Sequence, residues 1–178
     1  REGPEWLEAR AGVYEVIAYF GAVLEARSDD FAAKRDILSV LLQAEAEGRI
    51  DRREMVAYAI LLLTGGNETT TNLLGGMTLA LFEQPDQLAI LRAEPALIPN
   101  AIEEGLRYCS PVQGVYRRAL HDVELAGVTI PAHHDIVVLL ASANHDASKF
   151  ADPERFDVRR RTGGHAGFGM GIHHCLGA

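Results

Sequence analysis

Phe168-Gly169-Met170-Gly171-Ile172-His173-His174-Cys175-Leu176-Gly177-Ala178 is the stretch whose chemistry decides the fold. Glycines at 169 and 171 let the backbone turn tightly and approach another group. Cys175 precedes Leu176-Gly177-Ala178, which reads as the start of a helix. The amides and positive end of such a helix would face the sulfur and favour thiolate over thiol. Thiolate is the form that binds a metal. Other readings fit the same residues. Cys175 can be a small buried hydrophobe, or a nucleophile with His173 or His174 as its base. It can also join His165, His173 and His174 around zinc. Zinc is the weakest reading, because no Cys-x-x-Cys or His-x-x-x-His spacing is present and adjacent ligands suit a tetrahedron poorly. Local chemistry leaves core cysteine and thiolate ligand side by side.

Working back along the chain, Glu104-Gly105-Leu106-Arg107 places a carboxylate and a guanidinium at i, i+3 on one helix. Such pairs are common on solvated faces, where they stabilise by a few tenths of a kcal/mol. Taken alone, the segment reads as a surface pair. The arginine fork also permits a buried, two-pronged pair.

Further back lies Thr64-Gly65-Gly66-Asn67-Glu68-Thr69-Thr70-Thr71-Asn72, the centre of a long predicted helix over 51–82. Two glycines in a helix interior cost about 2 kcal/mol relative to alanine. The threonines add to that. Leu62, Gly65, Thr69, Asn72 and Gly76 fall on one side at helical steps. Small residues there would let something bulky approach the backbone, with the Thr69 hydroxyl in the gap and the Glu68 carboxylate beside it. The competing reading is a helix–turn–helix broken at Gly65-Gly66, with Glu68 an exposed charge.

Around these segments the chain reads as mainly α with small β-sheets. Helical spacing of apolar residues predicts helices over 4–27 and 36–47, with a break at 28–30. Asp51 is the expected N-cap of the long helix, with Glu54 in the capping-box position. Proline-led helices follow over 85–93 and 95–108, the last stopped by Pro111. Short β-rich runs occupy 115–120, 123–125 and 128–130, with Ala126-Gly127 as a hairpin turn. Residues 135–140 are strand or helix, and 146–171 is ordered loop.

Composition narrows the function. The 178 residues are 48% hydrophobic and 24% charged, ordinary for a globular domain. A net charge of −8 speaks against a nucleic-acid partner. Two cysteines make no disulfide framework, so a reducing cytoplasm is the expected location. The longest apolar run, 56–63, is too short to span a bilayer. The absence of an initiator Met and the abrupt ending lead us to expect a piece of a longer chain.

Together the three segments resemble the cytochrome P450 family in their order and rough spacing. Phe168, Gly169, Gly171, His173, Cys175 and Gly177 match every position of its haem-binding signature. Glu104 and Arg107 resemble its Glu-x-x-Arg pair. Pro153-Glu154-Arg155-Phe156 resembles the segment whose arginine completes a buried triad. Gly65-Gly66-Asn67-Glu68-Thr69 resembles the oxygen-binding part of the distal helix.

The resemblance implies a partial P450 fold, with residues 1–178 as the C-terminal haem-binding portion of a single domain. It implies haem b, with Cys175 as the proximal thiolate ligand and Gly65, Gly66, Phe168, Gly169 and Gly177 against the cofactor. Arg117 and His173 would hold propionates, and Glu68 and Thr69 would serve proton delivery and oxygen binding. Leu62, Pro111, Val112 and Gln113 would line the substrate pocket. The implied activity is a monooxygenase acting on a small hydrophobic organic substrate with dioxygen. Alternatives are a peroxygenase of the same fold and a non-catalytic haem-binding fragment. A ferredoxin- or flavodoxin-type protein would donate electrons, with Arg159, Arg160 and Arg161 expected to receive it. No membrane partner is implied. The segment alone is expected to bind haem poorly and not to turn over.

Overall fold

The structure is a computed structural model that describes residues 3–27 and 36–178. The break expected at 28–30 lies outside the described residues. Helices dominate: α1 (Pro4–Arg27), α2 (Ile37–Ala46), α3 (Arg52–Glu83), α4 (Pro85–Ala93), α5 (Ile98–Cys109) and the short α6 (Leu140–Asn144). Strands β1 (Val115–Arg118), β2 (Val123–Leu125), β3 (Val128–Ile130) and β4 (Asp135–Val138) form two antiparallel pairs, β1–β4 and β2–β3. The chain divides into two compact units, residues 1–67 and 68–178.

In the first unit, Phe20 and Leu24 of α1 meet Leu41 and Leu42 of α2 and Met55 and Ala59 of α3. Leu24 and Met55 are fully buried. Asp36 starts α2: its Oδ1 accepts the Ser39 amide at 3.0 Å. That amide bond, helped by Arg27, holds the Asp36 carboxyl below the usual range. Asp51 and Glu54 form the expected capping box before α3. Asp51 Oδ1 accepts the Glu54 amide, and Glu54 Oε2 accepts the Asp51 amide, both at 2.8 Å. This satisfies two of the donors that a helix start leaves unpaired. Asp51→Ala is expected to cost about 1 kcal/mol, read as a lowered urea midpoint; an unmoved midpoint would show that the box contributes nothing.

The α3 helix runs unbroken through Gly65-Gly66, so the helix–turn–helix reading does not hold. Hydroxyls in the helix bond back to the preceding turn, as Thr64 Oγ1 does to the Ile60 carbonyl at 3.0 Å.

In the second unit, Ala80 of α3 and Ala101 of α5 pack with Phe156 and Val158 from the long loop. That loop is threaded by side-chain hydrogen bonds. Gln87 of α4 is buried and its Oε1 accepts the Val158 amide at 3.0 Å. Asn100 Nδ2 donates to the carbonyls of Val158 at 2.7 Å and Arg160 at 3.0 Å. Gly105 lets α3 and α5 approach closely, since a Cβ there would lie 2.4 Å from Met77 Sδ.

The β2–β3 hairpin turns at Ala126 (φ 50°) and Gly127 (φ 79°), the doubly left-handed pair of a tight hairpin. Residues 135–138 resolve as strand, with Val138 opposite Val115. Residues 174–178 follow a single 3-10 turn, Gly171–His173.

Candidate functional site

The loop from Phe168 to Cys175 closes on itself. The Cys175 amide donates to the Phe168 carbonyl at 2.9 Å. Gly169 and Gly171 sit at φ 68° and 76°, the left-handed region that only glycine adopts without strain. The Gly177 amide donates to Cys175 Sγ at 3.3 Å. That amide addresses the sulfur. Cys175 is exposed, and so are the apolar side chains of Met170, Ile172 and Leu176 around it. Phe168 lies between two imidazoles, its ring centroid 6.0 Å from that of His165 and 6.2 Å from that of His174. No cluster of three or more metal-ligating side chains occurs among the described residues, so nothing gathers histidines around Cys175 for zinc.

Cys109 is a different kind of cysteine. It is half-buried, and burial, with Glu104 nearby, pushes its thiol up to about 11. It is protonated at neutral pH and serves as packing: a Cβ at Gly76 would lie 3.0 Å from its sulfur. Gly76, placed by helical spacing on the soft face of α3, is thus small because Cys109 abuts it. At Gly65 and Gly66 a Cβ would meet no described atom within 4 Å.

Behind the loop lies a buried ionic cluster. Glu104 and Arg107 are both fully buried, so the surface reading of this pair is wrong. Arg107 Nε and Nη2 donate to the two Glu104 oxygens at 2.7 and 2.9 Å. Its remaining hydrogens reach the carbonyls of Asn144 (2.8 Å), Pro153 (2.9 Å) and Arg155 (3.2 Å). All five guanidinium donors are used.

The third member of the cluster is Arg160, not Arg155. Arg160 Nε donates to Glu104 Oε1 at 3.0 Å, and its Nη2 to the carbonyls of Asp152 (3.0 Å) and Arg155 (2.9 Å). The Arg155 side chain is exposed and lies 3.9 Å from Asp86; it contributes only its carbonyl. The loop reverses between 155 and 160, which turns Phe156 and Val158 into the core and brings Arg160 back over α5. Arg160 is therefore not part of an open basic patch, and Arg159 pairs with Glu94.

The remaining candidates are spread through the unit. Pro111 and Gln113 line a cavity of about 330 Å³ with Asn72, Gly76, Cys109 and Ser110. Val112 is half-buried but is not among its lining residues. Arg117 is exposed on β1 and donates to the Tyr116 carbonyl at 2.8 Å. His173 is exposed in the 3-10 turn, Thr69 is half-buried and Glu68 exposed on α3, and Leu62 belongs to the first unit.

Sequence reasoning missed Asn144 and assigned His165 only to zinc. Asn144 is fully buried; its Oδ1 accepts the Ala166 amide at 2.6 Å and its Nδ2 donates to Ser110 Oγ at 2.9 Å. No local sequence signal marks a lone asparagine as the hub of such a network.

The family model for cytochrome P450 matches residues 8–178. This chain belongs to the cytochrome P450 family. Cytochrome P450 107B1 of Saccharopolyspora erythraea is 46% identical over 164 residues, covering 88% of this chain and 40% of that protein. The 6-deoxyerythronolide B hydroxylase of the same organism is 40% identical, covering 98% of this chain and 43% of that protein. Among solved structures, the tirandamycin C-bound P450 monooxygenase TamI superposes with a TM-score of 0.88 at 42% identity, covering 94% of this chain and 42% of TamI. P450BioI, solved in complex with an acyl carrier protein ligated to hexadec-9Z-enoic acid, gives 0.90 at 37% identity, covering 99% of this chain and 45% of that one. The chain thus spans less than half the length of these relatives.

Haem b is the cofactor of P450 proteins. The residues of the loop fit it: an exposed sulfur bearing one amide hydrogen bond, flanked by exposed apolar side chains, suits a soft iron centre in an apolar ring. No described helix is long and apolar enough to cross a membrane.

Proposed function

We propose that residues 1–178 are the C-terminal haem-binding portion of a single P450 monooxygenase domain, with Cys175 as the iron ligand. The observation that carries this is the closed 168–175 loop, which fixes the sulfur's backbone and gives it one amide donor. The Gly177 amide tempers the sulfur's charge. The Glu104–Arg107–Arg160 cluster anchors the polypeptide that leads into the loop.

When bound, the haem supplies the redox chemistry that activates dioxygen, favoured by thiolate ligation. Overall, one oxygen atom enters the organic substrate and the other leaves as water, using two electrons and two protons. Glu68 and Thr69 would deliver protons to bound dioxygen, and Gly65 and Gly66 would leave room for it. Arg117 and His173 would hold the haem propionates by charge-assisted hydrogen bonds. Phe168, Gly169 and Gly177 would pack against the haem next to Cys175. Pro111 and Gln113, which line the cavity beside Ser110, would face a small hydrophobic substrate, with Val112 next to them in the chain. A ferredoxin- or flavodoxin-type protein supplies the electrons, and the enzyme works in the cytoplasm. Carboxylate–hydroxyl delivery of protons favours dioxygen over peroxide as the oxidant.

The test is the absorption spectrum of the full-length protein, reduced and bound to carbon monoxide. Thiolate ligation gives a strongly red-shifted Soret band, and its absence would reject Cys175 as the ligand. For the distal pair, Thr69→Ala and Glu68→Gln are each expected to lower product formation by about 100-fold while leaving that band in place. Unchanged turnover with redox partners would remove both residues from the proton path.

A further inference from the structure

The cysteine loop is entered through His165-Ala166-Gly167, and each backbone amide after His165 is held by a side chain. The Ala166 amide goes to buried Asn144. The Gly167 amide donates to Nδ1 of His165 at 3.0 Å. The other ring nitrogen, Nε2, lies 2.9 Å from Glu103 Oε2 on α5. Nδ1 must be bare to accept an amide, so the ring proton sits on Nε2 and is donated to the carboxylate. The imidazole thus has one tautomer and both nitrogens occupied. Its side chain is 7% exposed, whereas that of Glu103 is 51% exposed.

Close packing confines the ring further. A Cβ at Gly167 would lie 3.0 Å from His165 Nδ1 and 3.1 Å from the Leu106 carbonyl, so only glycine lets the backbone reach both. Immediately downstream, the Gly169 amide donates to the Ala166 carbonyl at 2.9 Å, and Phe168 supplies the carbonyl that receives the Cys175 amide. The Phe168 ring contacts His165 directly.

We propose that His165 is a positioning residue for the iron ligand: a two-sided latch that ties the approach to the cysteine loop to α5. The latch acts through Gly167 and Phe168 and does not touch the sulfur. It rests on the reading of Cys175 as the ligand. Its consequence is that breaking the inner bond, to the Gly167 amide, loosens the loop and speeds the loss of the thiolate-type Soret band.

Amide side chains separate the two bonds. Asn at 165 can present its oxygen where Nδ1 lies and keep the inner bond. Gln can present its nitrogen where Nε2 lies and keep only the outer bond. Leu keeps neither. In the full-length haem-loaded protein, reduced and bound to carbon monoxide, the rate of conversion is measured as loss of the thiolate-type Soret band. His165→Leu and His165→Gln are expected to convert ~10- to ~100-fold faster than wild type, with His165→Asn close to wild type. The far-UV unfolding midpoint is followed in parallel.

The proposal is overturned if His165→Asn converts as fast as His165→Leu. It is also overturned if all three match wild type, or if conversion merely follows the unfolding midpoint. Should the histidine variants not fold, Glu103→Ala removes only the outer bond at an exposed position: a rate close to wild type supports a latch that acts through the inner bond, and conversion ~10-fold or more faster overturns it. A wild-type protein that never shows the thiolate band rejects Cys175 as ligand, a failure distinct from that of the latch.

Discussion

Arg107→Ala is expected to destabilise the protein by about 3–5 kcal/mol, a large part of the ~5–15 kcal/mol that holds a typical protein folded. The guanidinium is fully buried and spends all five of its donors. Its removal leaves a fully buried carboxylate short of two hydrogen bonds and takes the arginine donor from the carbonyls of Asn144 and Pro153, while that of Arg155 keeps Arg160. Lysine does not replace it, because a point charge with three donors cannot span Glu104 and the carbonyls of Asn144, Pro153 and Arg155.

The same experiment distinguishes the two arginines downstream. Arg160→Ala removes a donor 3.0 Å from Glu104 and three carbonyl partners, so it should be strongly destabilising. Arg155→Ala removes an exposed side chain 3.9 Å from Asp86 and should change little. Urea midpoints of the full-length variants check all three. A loss below about 1 kcal/mol at Arg107 would mean that the pair behaves as a surface ion pair.

Cys175→Ser should abolish the thiolate-type Soret band altogether, and product formation with it. A hydroxyl ionises far less readily than a thiol and is a poor soft donor. Cys109→Ser is the matched control. Burial keeps Cys109 a thiol at neutral pH, and its sulfur packs at Gly76 rather than standing exposed. Its replacement should leave the band in place and alter only stability. Retention of the band in Cys175→Ser, or its loss in Cys109→Ser, would reverse the assignment of the ligand.

The contrast between these two cysteines shows how far sequence reasoning reaches. Cys175 announces itself because glycines at 169 and 171 and an amide at 177 must lie close along the chain for any thiolate loop to form. Cys109 carries no such signal, and its elevated thiol depends on what covers it. The same holds for glycines. Gly65 and Gly76 are equivalent by helical spacing, yet only Gly76 is small because a neighbour is pressed against it. Helix ends were legible where a cap is local, as with Asp51 and Glu54.

By itself, the sequence determined the helices α1 to α5, the hairpin at Ala126-Gly127, the glycine-framed cysteine loop and the pairing of Glu104 with Arg107. All of these are relations among residues within a few positions of one another, set by backbone geometry and side-chain reach. Only the tertiary structure decided that the pair is buried, that Arg160 rather than Arg155 joins it, and that Asn144 and His165 hold the approach to Cys175. Those contacts join residues 22 to 62 positions apart or depend on the path of a loop. Their partners are chosen by which way the chain turns after Phe156, and a linear spacing carries no record of that.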